Sequence, residues 1–206
     1  MANFQIVIAT NEHRKYSNQI VKVIEESAHK RGTGIAKRTI EYVADKIDQG
    51  KAIIALSKEG ELAGFCYIES WGHDMFVANS GLIVVEKFRN NRLAERIKEK
   101  AFKLSRKRFP KAKLFGLTTS SAVMKINSRL GYTPVTFSEL TDDTNFWKGC
   151  QSCVNHEILQ TKKYKNCLCT GMLYDPGFKK KKWEKRNQKI KEKVTSWILP
   201  VFNKVK

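Results

Sequence analysis

Acidic residues, proline and long apolar runs are scarce in this chain of 206 residues. Because no stretch approaches the roughly 18 consecutive apolar residues of a spanning helix, the sequence predicts no transmembrane segment. The N-terminus has a short apolar run without a small-residue cleavage site, which argues against secretion and predicts a cytoplasmic protein. Hydrophobic residues still make up 41% of the chain, so a sizeable core is expected in one domain with an appendage.

The shortage of acidic residues makes the chain strongly basic. Lysine and arginine number 39 against 20 aspartates and glutamates, which gives a net charge of +19. This imbalance predicts anionic partners: a phosphorylated cofactor, nucleic acid, an acidic lipid or carboxylate substrates. Residues 177–206 alone carry 11 lysines and arginines against two glutamates.

Hydrophobic periodicity predicts a mixture of strands and helices along most of the chain. The order is strand, two helices, three strands, helix, strand, helix and strand, which indicates a mixed α/β (α+β) fold. Its central sheet is expected to be mostly antiparallel and flanked by helices. Changes in composition predict a domain at 1–140, a Cys-rich extension at 141–176 and a basic tail at 177–206.

An apolar strand runs through a tight basic turn into an amphipathic helix, and this is the strongest local signal. The backbone N–H groups at the start of such a helix can bind a pyrophosphate, although the same pattern also occurs as a purely structural turn. The strand includes Leu82, Ile83 and Val84. The turn and first helical residues are Arg89, Asn90, Asn91, Arg92, Leu93 and Ala94.

This turn, the strand 114–119 and the helix that closes in Leu130-Gly-Tyr132 together resemble the GNAT acyltransferase family. The resemblance covers roughly residues 4–138 and implies the GNAT fold, with an acyl-coenzyme A as co-substrate. It implies that residues 89–94 bind the phosphates and that residues 82–84 offer free backbone groups to pantetheine. The thioester would lie where that strand separates from strand 114–119.

Two positions depart from the family pattern Gln/Arg-x-x-Gly-x-Gly/Ala and from its later helix. Arg92 replaces the middle glycine, so we expect its φ to be negative, with its side chain reaching the adenylyl group or 3′-phosphate. Asn127 replaces a tyrosine that protonates the departing thiolate in many members. Its amide can hydrogen-bond pantetheine, and water is then expected to supply the proton.

Longer segments are also similar to a small GNAT-type N-acylglutamate synthase of arginine biosynthesis. That similarity implies transfer of an acetyl or succinyl group from coenzyme A to the α-amino group of glutamate, by direct attack without an acyl-enzyme. The sequence does not choose between acetyl-CoA and succinyl-CoA. The segments are 31–38, 52–56, 63–69, 78–84, 135–141 and 146–150, and the similarity extends to Tyr174.

Glutamate requires cations for its two carboxylates and a base for its ammonium group. Arg31, Lys37 and Arg38 are the candidate substrate-binding cations, and the alternative is an exposed basic loop. Glu69 and His73 are the candidate bases. The alternative for each of these two residues is that of an ordinary polar side chain at the end of a strand.

Two further residues lie in the strands on either side of these candidates. Asn79 is a candidate for orienting a relay water. Cys66 lies within an apolar strand, where a buried hydrophobic role is favoured over that of a nucleophile.

Four of the five cysteines form two close pairs, separated by thirteen residues. In a reducing compartment such clustering favours a structural zinc site, with free thiols or a redox pair as the alternatives. His156 could replace one ligand. The candidate ligands are Cys150, Cys153, Cys167 and Cys169.

The tail repeats apolar residues at helical spacing opposite many lysines. A basic amphipathic helix of this kind can contact acidic membrane, nucleic acid or a partner, or can pack on its own domain. The tail and the cysteines therefore leave two alternatives open: a nucleic-acid-binding module, or an acyltransferase that acts on a protein or RNA amine. Oligomeric state is not predicted.

Overall fold

Alternating and continuous apolar runs form most of the strands of a single seven-stranded sheet in the computed structural model, which describes residues 3–31 and 36–178. The strands are β1 (Gln5–Ile8), β2 (Ala52–Leu56), β3 (Leu62–Trp71), β4 (Phe76–Val84), β5 (Lys113–Thr118), β6 (Thr133–Val135) and β7 (Thr170–Tyr174). The α-helices are α1 (Ser17–Arg31), α2 (Ile40–Asp48), α3 (Leu93–Arg108), α4 (Ser121–Arg129), α5 (Thr144–Lys148) and α6 (His156–Thr161). Single 3₁₀ segments lie at Asn11–Tyr16, Glu86–Phe88 and Phe137–Glu139.

The strand order in the sheet is β1-β2-β3-β4-β5-β7-β6. All neighbouring pairs are antiparallel except β4 and β5, which are parallel and are joined through α3. This confirms the predicted mixed, mostly antiparallel sheet flanked by helices. None of the helices in the described part of the chain is long and apolar enough to cross a membrane.

Strand β7 departs from the predicted domain boundaries. It comes from the predicted Cys-rich extension 141–176, yet it lies inside the sheet, where Leu173 pairs with both Phe115 and Thr133. An interior strand needs hydrogen-bond partners on both edges, so the sheet does not divide at residue 140. Residues Met1–Asp175 form one unit and Pro176–Lys206 a second, and residues 179–206 of the predicted tail lie outside the described part.

The two faces of the sheet carry different helices. One buried cluster joins α3 to one face, through Leu93, Ile97, Ala101, Leu104, Ile53, Cys66 and Val77. A second cluster joins α1 and α2 to the opposite face, through Ile20, Ile24, Val43, Ile47, Ile54, Phe65 and Tyr67. Alternation along β3 places Cys66 and Tyr67 on opposite faces, as the period of two in a strand requires.

The parallel strands β4 and β5 pair only along part of their lengths. Their register runs from Phe76 with Lys113 to Ala78 with Phe115, and beyond these pairs the two strands, both fully described, separate. On the other edge of β4 the register shifts opposite Cys66, and Gly81 lies there at a φ of +65°. A Cβ at Gly81 would lie 2.7 Å from the Tyr67 ring, so this bend requires glycine.

Gly64 in β3 provides a test of how closely α3 packs on the sheet. A Cβ there would lie 2.6 Å from Ile97 Cδ1 and 2.9 Å from the Ile83 carbonyl oxygen. We expect Gly64→Ala to lower the free energy of unfolding by about 1–3 kcal/mol, measured by chemical denaturation, because overpacking forces the helix away. The control is Gly116→Ala, whose Cβ would meet only the Asn79 carbonyl oxygen at 3.5 Å. Equal stability of the two variants would contradict this packing.

Candidate active site

The gap between β4 and β5 opens into a cavity of about 550 Å³. This volume is within the range of about 300–1,000 Å³ that is usual for small-molecule sites. Lys98 of α3 and Asn127 of α4 line one end, whereas Ile24 of α1 and Tyr42 of α2 line the other. The cavity therefore connects the two faces of the sheet through the gap.

Arg38 is held on the α1 and α2 side of the cavity by two tyrosines. Its Nε donates a 2.6 Å hydrogen bond to the Tyr67 hydroxyl, and its guanidinium lies 5.5 Å from the Tyr42 ring centroid and 5.7 Å from that of Tyr67. Burial is the largest single influence and by itself would lower the pKa of Arg38, but the interactions with Tyr67, Tyr42 and Glu69 together outweigh it and the pKa rises. The guanidinium therefore remains a fixed positive charge at the cavity wall.

Glu69 lies beside this cation and is itself held in place. Lys46 Nζ is 2.5 Å from Glu69 Oε1, and the Tyr42 hydroxyl donates a hydrogen bond to Oε2. Burial would lower the pKa of Lys46, but the interactions with Glu69 and Asp45 raise it above its ordinary value, so the Lys46 ammonium remains charged. A carboxylate has about four acceptor positions, so Glu69 retains capacity for a further donor in the cavity.

Lys37 also lines the cavity, but its side chain is exposed and only its backbone is anchored. Its N–H donates a 2.9 Å hydrogen bond to Ser152 Oγ, which joins the segment before α2 to the turn after α5. Of the predicted substrate-binding cations, the structure brings Arg38 and Lys37 to the cavity. The side chain of Arg31 and residues 32–35 lie outside the described part.

The predicted phosphate-binding turn precedes α3, and its backbone corrects one expectation. Arg92 has a φ of +55°, and Asn90 has a φ of +66°, so both are left-handed. The expected negative φ at Arg92 is therefore wrong: the chain keeps the conformation that a glycine would take and puts a cation there. The Asn91 side chain donates hydrogen bonds of 3.2 Å to the carbonyl oxygens of Phe88 and Arg89, which stabilise the turn.

The rest of the predicted coenzyme site surrounds this turn. Arg89 is exposed and lies 3.6 Å from Glu86, so its guanidinium is only loosely paired. Leu93 is buried as the first residue of α3 and anchors the turn to the core, with Ala94 next to it. Of the strand residues, Leu82 lines the cavity, and Ile83 and Val84 continue β4 toward the turn.

Asn127, Asn79 and His73 have quite different surroundings. Asn127 lines the cavity at 1% exposure, and its Oδ1 has no hydrogen-bond partner among the described residues. Asn79 also lines the cavity, but its amide accepts from the Tyr132 hydroxyl and donates to Ser105 Oγ. Its side chain is therefore already engaged. His73 is exposed in the β3–β4 turn and does not line the cavity.

The predicted zinc site is not present in the geometry of the cysteines. All five thiols are free, and within residues 3–31 and 36–178 no three His, Cys, Asp or Glu side chains are placed to hold a metal ion. Three of the four candidate ligands instead pack against an apolar cluster: Cys150, Cys167 and Cys169. Burial raises the pKa of the Cys150 thiol to about 11 and that of Cys169 to about 12, which favours protonated thiols.

Several residues that line the cavity, or support those that do, were not singled out from the sequence. Tyr42 and Lys46 lie four apart, so they share one face of α2, and Tyr67 and Glu69 lie two apart on one face of β3. The sequence shows both spacings, but it does not show that this face of α2 packs against this face of β3. Lys98 could be seen only as one of several cations along a basic helix, near the predicted phosphate-binding turn, and nothing in the sequence marked it as buried.

The left-handed backbone at Arg92 can be tested through stability. A side chain costs about 1–2 kcal/mol in this conformation, partly offset by the flexibility that glycine adds to the unfolded chain. We expect Arg92→Gly to raise the free energy of unfolding by about 0.5–1 kcal/mol in chemical denaturation. Lys103→Gly, at an exposed position inside α3, should lower it by about 1 kcal/mol. A loss of stability in both variants would contradict the conformation at Arg92.

Solved structures that match this fold include acetyltransferases. The N-acetylglutamate synthase from Neisseria gonorrhoeae, complexed with coenzyme A and N-acetyl-glutamate, matches with a TM-score of 0.62 at 16% identity, over 85% of this chain and 35% of that one. The present chain thus spans about a third of the length of that synthase. A GNAT-family acetyltransferase from Staphylococcus aureus matches with a TM-score of 0.60 at 11% identity, over 84% of this chain and 99% of that one.

No protein-family model and no curated protein match the sequence. The similarity is therefore one of structure, and it extends over more than four-fifths of the chain. At these identities a structural match establishes how the chain folds. The chain has the GNAT fold.

Proposed function

We propose that this protein is an acyl-coenzyme A-dependent N-acyltransferase whose acceptor is the α-amino group of glutamate. The observation that carries the proposal is the cavity through the gap between β4 and β5. It gives a thioester from the α3 side access to an amine on the side of Arg38 and Glu69. Such a site needs no metal ligand and no nucleophilic side chain, only two substrates held in line.

The coenzyme would bind at the start of α3. The first N–H groups of a helix have no partner within the helix, and they attract a pyrophosphate through both hydrogen bonds and the helix dipole. Arg89 and Arg92 add exposed positive charge at the same turn. Leu82, beyond the point where β4 stops pairing with β5, can offer its backbone to pantetheine, and Asn127 can offer its unpaired Oδ1.

The acceptor would bind on the opposite side of the sheet. Arg38 and Lys37 match the two carboxylates of glutamate, because guanidinium and ammonium groups make charge-assisted hydrogen bonds with carboxylates. Glu69 faces the same space and can take a proton from the amino group. His73 has no such position, so we assign the base to Glu69 alone.

In the reaction the amine nitrogen attacks the thioester carbon. A C–N bond forms, the C–S bond breaks, Glu69 takes the proton released by the amine, and solvent protonates the leaving thiolate. An acyl-enzyme is unnecessary. Cys66 does not line the cavity, whereas Cys150, Cys153 and Cys169 do. The raised pKa values of Cys150 and Cys169 make these two thiols poor nucleophiles near neutral pH.

The structural comparison favours the same acceptor class. The Neisseria synthase that shares the fold is complexed with coenzyme A and N-acetyl-glutamate, the product of this reaction. Glutamate acylation would give the protein a role in arginine biosynthesis, and we propose a cytoplasmic location. A cavity of about 550 Å³ favours a small acceptor over a protein or RNA amine, which we keep as an outcome of the test.

The acceptor assignment predicts a specific defect in Arg38→Met. Thiol release, assayed with acetyl- and with succinyl-coenzyme A, should depend on glutamate, and this variant should reduce kcat/KM for glutamate by about 10–100-fold through loss of a charge-assisted contact. The apparent KM for the coenzyme should change little. Arg14→Met, which removes an exposed arginine paired with Asp48, is the matched control.

Other outcomes would each overturn a different part of the proposal. Glutamate-independent turnover with a peptide or RNA amine would replace the acceptor. No thiol release with any amine, from folded protein that binds coenzyme A, would reject the glutamate assignment. Failure to bind coenzyme A would reject acyl transfer altogether. A nucleic-acid-binding module would then be the favoured alternative.

The base assignment predicts that Glu69→Gln lowers kcat. The amide is nearly isosteric but cannot accept a proton, so we expect a loss of about 100-fold or more in kcat, with a smaller change in KM. The matched control is Glu61→Gln, an exposed carboxylate that pairs with Lys87. An unchanged kcat in Glu69→Gln would remove Glu69 from the chemistry.

A further inference from the structure

Lys98 is a buried cation that the proposed reaction does not use. It lies in α3 at 2% exposure and lines the cavity. No carboxylate or hydrogen-bond acceptor in the described part of the chain pairs with its ammonium group. Its ammonium group lies near the Tyr132 ring, whose centroid is 5.6 Å from Nζ, and near the Cys66 thiol.

An arrangement of this kind is costly for the protein alone. A buried ammonium without a partner loses its hydration and gains only a weak contact with an aromatic face. Burial accordingly lowers the pKa of Lys98, and the nearby Cys66 opposes this only in part. The side chain faces a cavity, however, so a ligand can supply the missing anion.

The position of Lys98 shows which substrate could supply that anion. Lys98 interacts with Cys66 and belongs to the α3 face, whereas Arg38 bonds Tyr67 on the opposite face. In the proposed function, Arg38 and Lys37 on that opposite side bind the carboxylates of the acceptor. The phosphates belong at the exposed turn before α3, not at a residue this deeply buried. The remaining ligand group on the α3 side is the acyl group of the thioester.

We propose that Lys98 binds a carboxylate at the far end of the acyl group, so that the preferred donor is a dicarboxylic acyl-coenzyme A such as succinyl-coenzyme A. This inference rests on the proposed acyl transfer and specifies its donor. The ammonium of Lys98 is the cation, and the unpaired Asn127 Oδ1 at the same end of the cavity can accept a hydrogen bond from that ammonium or from the pantetheine arm. An acetyl group would leave the charge of Lys98 without a partner.

The test compares two thioesters that differ only in the carboxylate. Succinyl- and butyryl-coenzyme A have the same number of acyl carbons, and their binding to the full chain can be measured by titration calorimetry without knowing the acceptor. We expect succinyl-coenzyme A to bind at least about tenfold more tightly, as a charge-assisted contact predicts. Lys98→Met should abolish that preference and leave affinity for butyryl-coenzyme A unchanged or higher.

Lys103→Met is the matched control, since it removes an exposed lysine from the same helix and should preserve the preference. Without ligand, Lys98→Met should be at least as thermally stable as the unaltered protein, because the buried unpaired charge is gone. The comparison of the two thioesters on the unaltered protein tests the proposal even if Lys98→Met does not fold.

Each contrary result has a distinct meaning. Equal binding of the two thioesters would overturn the donor assignment and leave acyl transfer intact. Equal weakening of both in Lys98→Met would also overturn it, because the lysine would then contact a part common to both, such as pantetheine. Binding of neither thioester nor coenzyme A itself would overturn the proposed function and with it this inference.

Discussion

The separation of β4 from β5 is the constraint on which the rest of the site depends. Parallel pairing stops at Ala78 and Phe115, and β5 keeps its other edge paired through β7. Full pairing would close the sheet and leave two unconnected faces, each covered by its own helices. Because the strands part, one cavity reaches both faces, and groups on α3 and α2 border the same space.

The sheet tolerates this gap because its neighbouring contacts are dense. Gly64 lets Ile97 of α3 approach the backbone of β3, and Gly81 turns β4 past the Tyr67 ring. Strand β7 gives β5 a continuous partner on the side away from the gap. Backbone groups left unpaired inside the gap can still face the cavity and bind a ligand, so their exposure there is compatible with a stable fold.

The charges around the cavity are distributed unequally between the two faces. On the α2 side the cations are matched or supported: Lys46 pairs with Glu69, and Arg38 lies between two tyrosines. On the α3 side Lys98 is buried, and no anion among residues 3–31 and 36–178 pairs with it. A preformed site of this sort lowers the stability of the fold because it holds charged groups in place for its ligands. Such a cost is consistent with a site that orients two substrates toward each other.

The sequence by itself determined the order of strands and α-helices as far as β6, the mixed sheet and the turn before α3, because these follow from local periodicity, turn residues and helix signals. It also placed Arg38, Glu69 and Asn127 among the candidates. Only the tertiary structure decided that β7 lies inside the sheet, that His73 is outside the cavity and that Arg92 is left-handed. It alone separated Lys98 from the other lysines of a basic helix, since burial and the absence of a partner depend on which face packs against the sheet. Those properties depend on contacts between residues far apart in the chain, so they cannot be predicted from the spacing of residues within one segment.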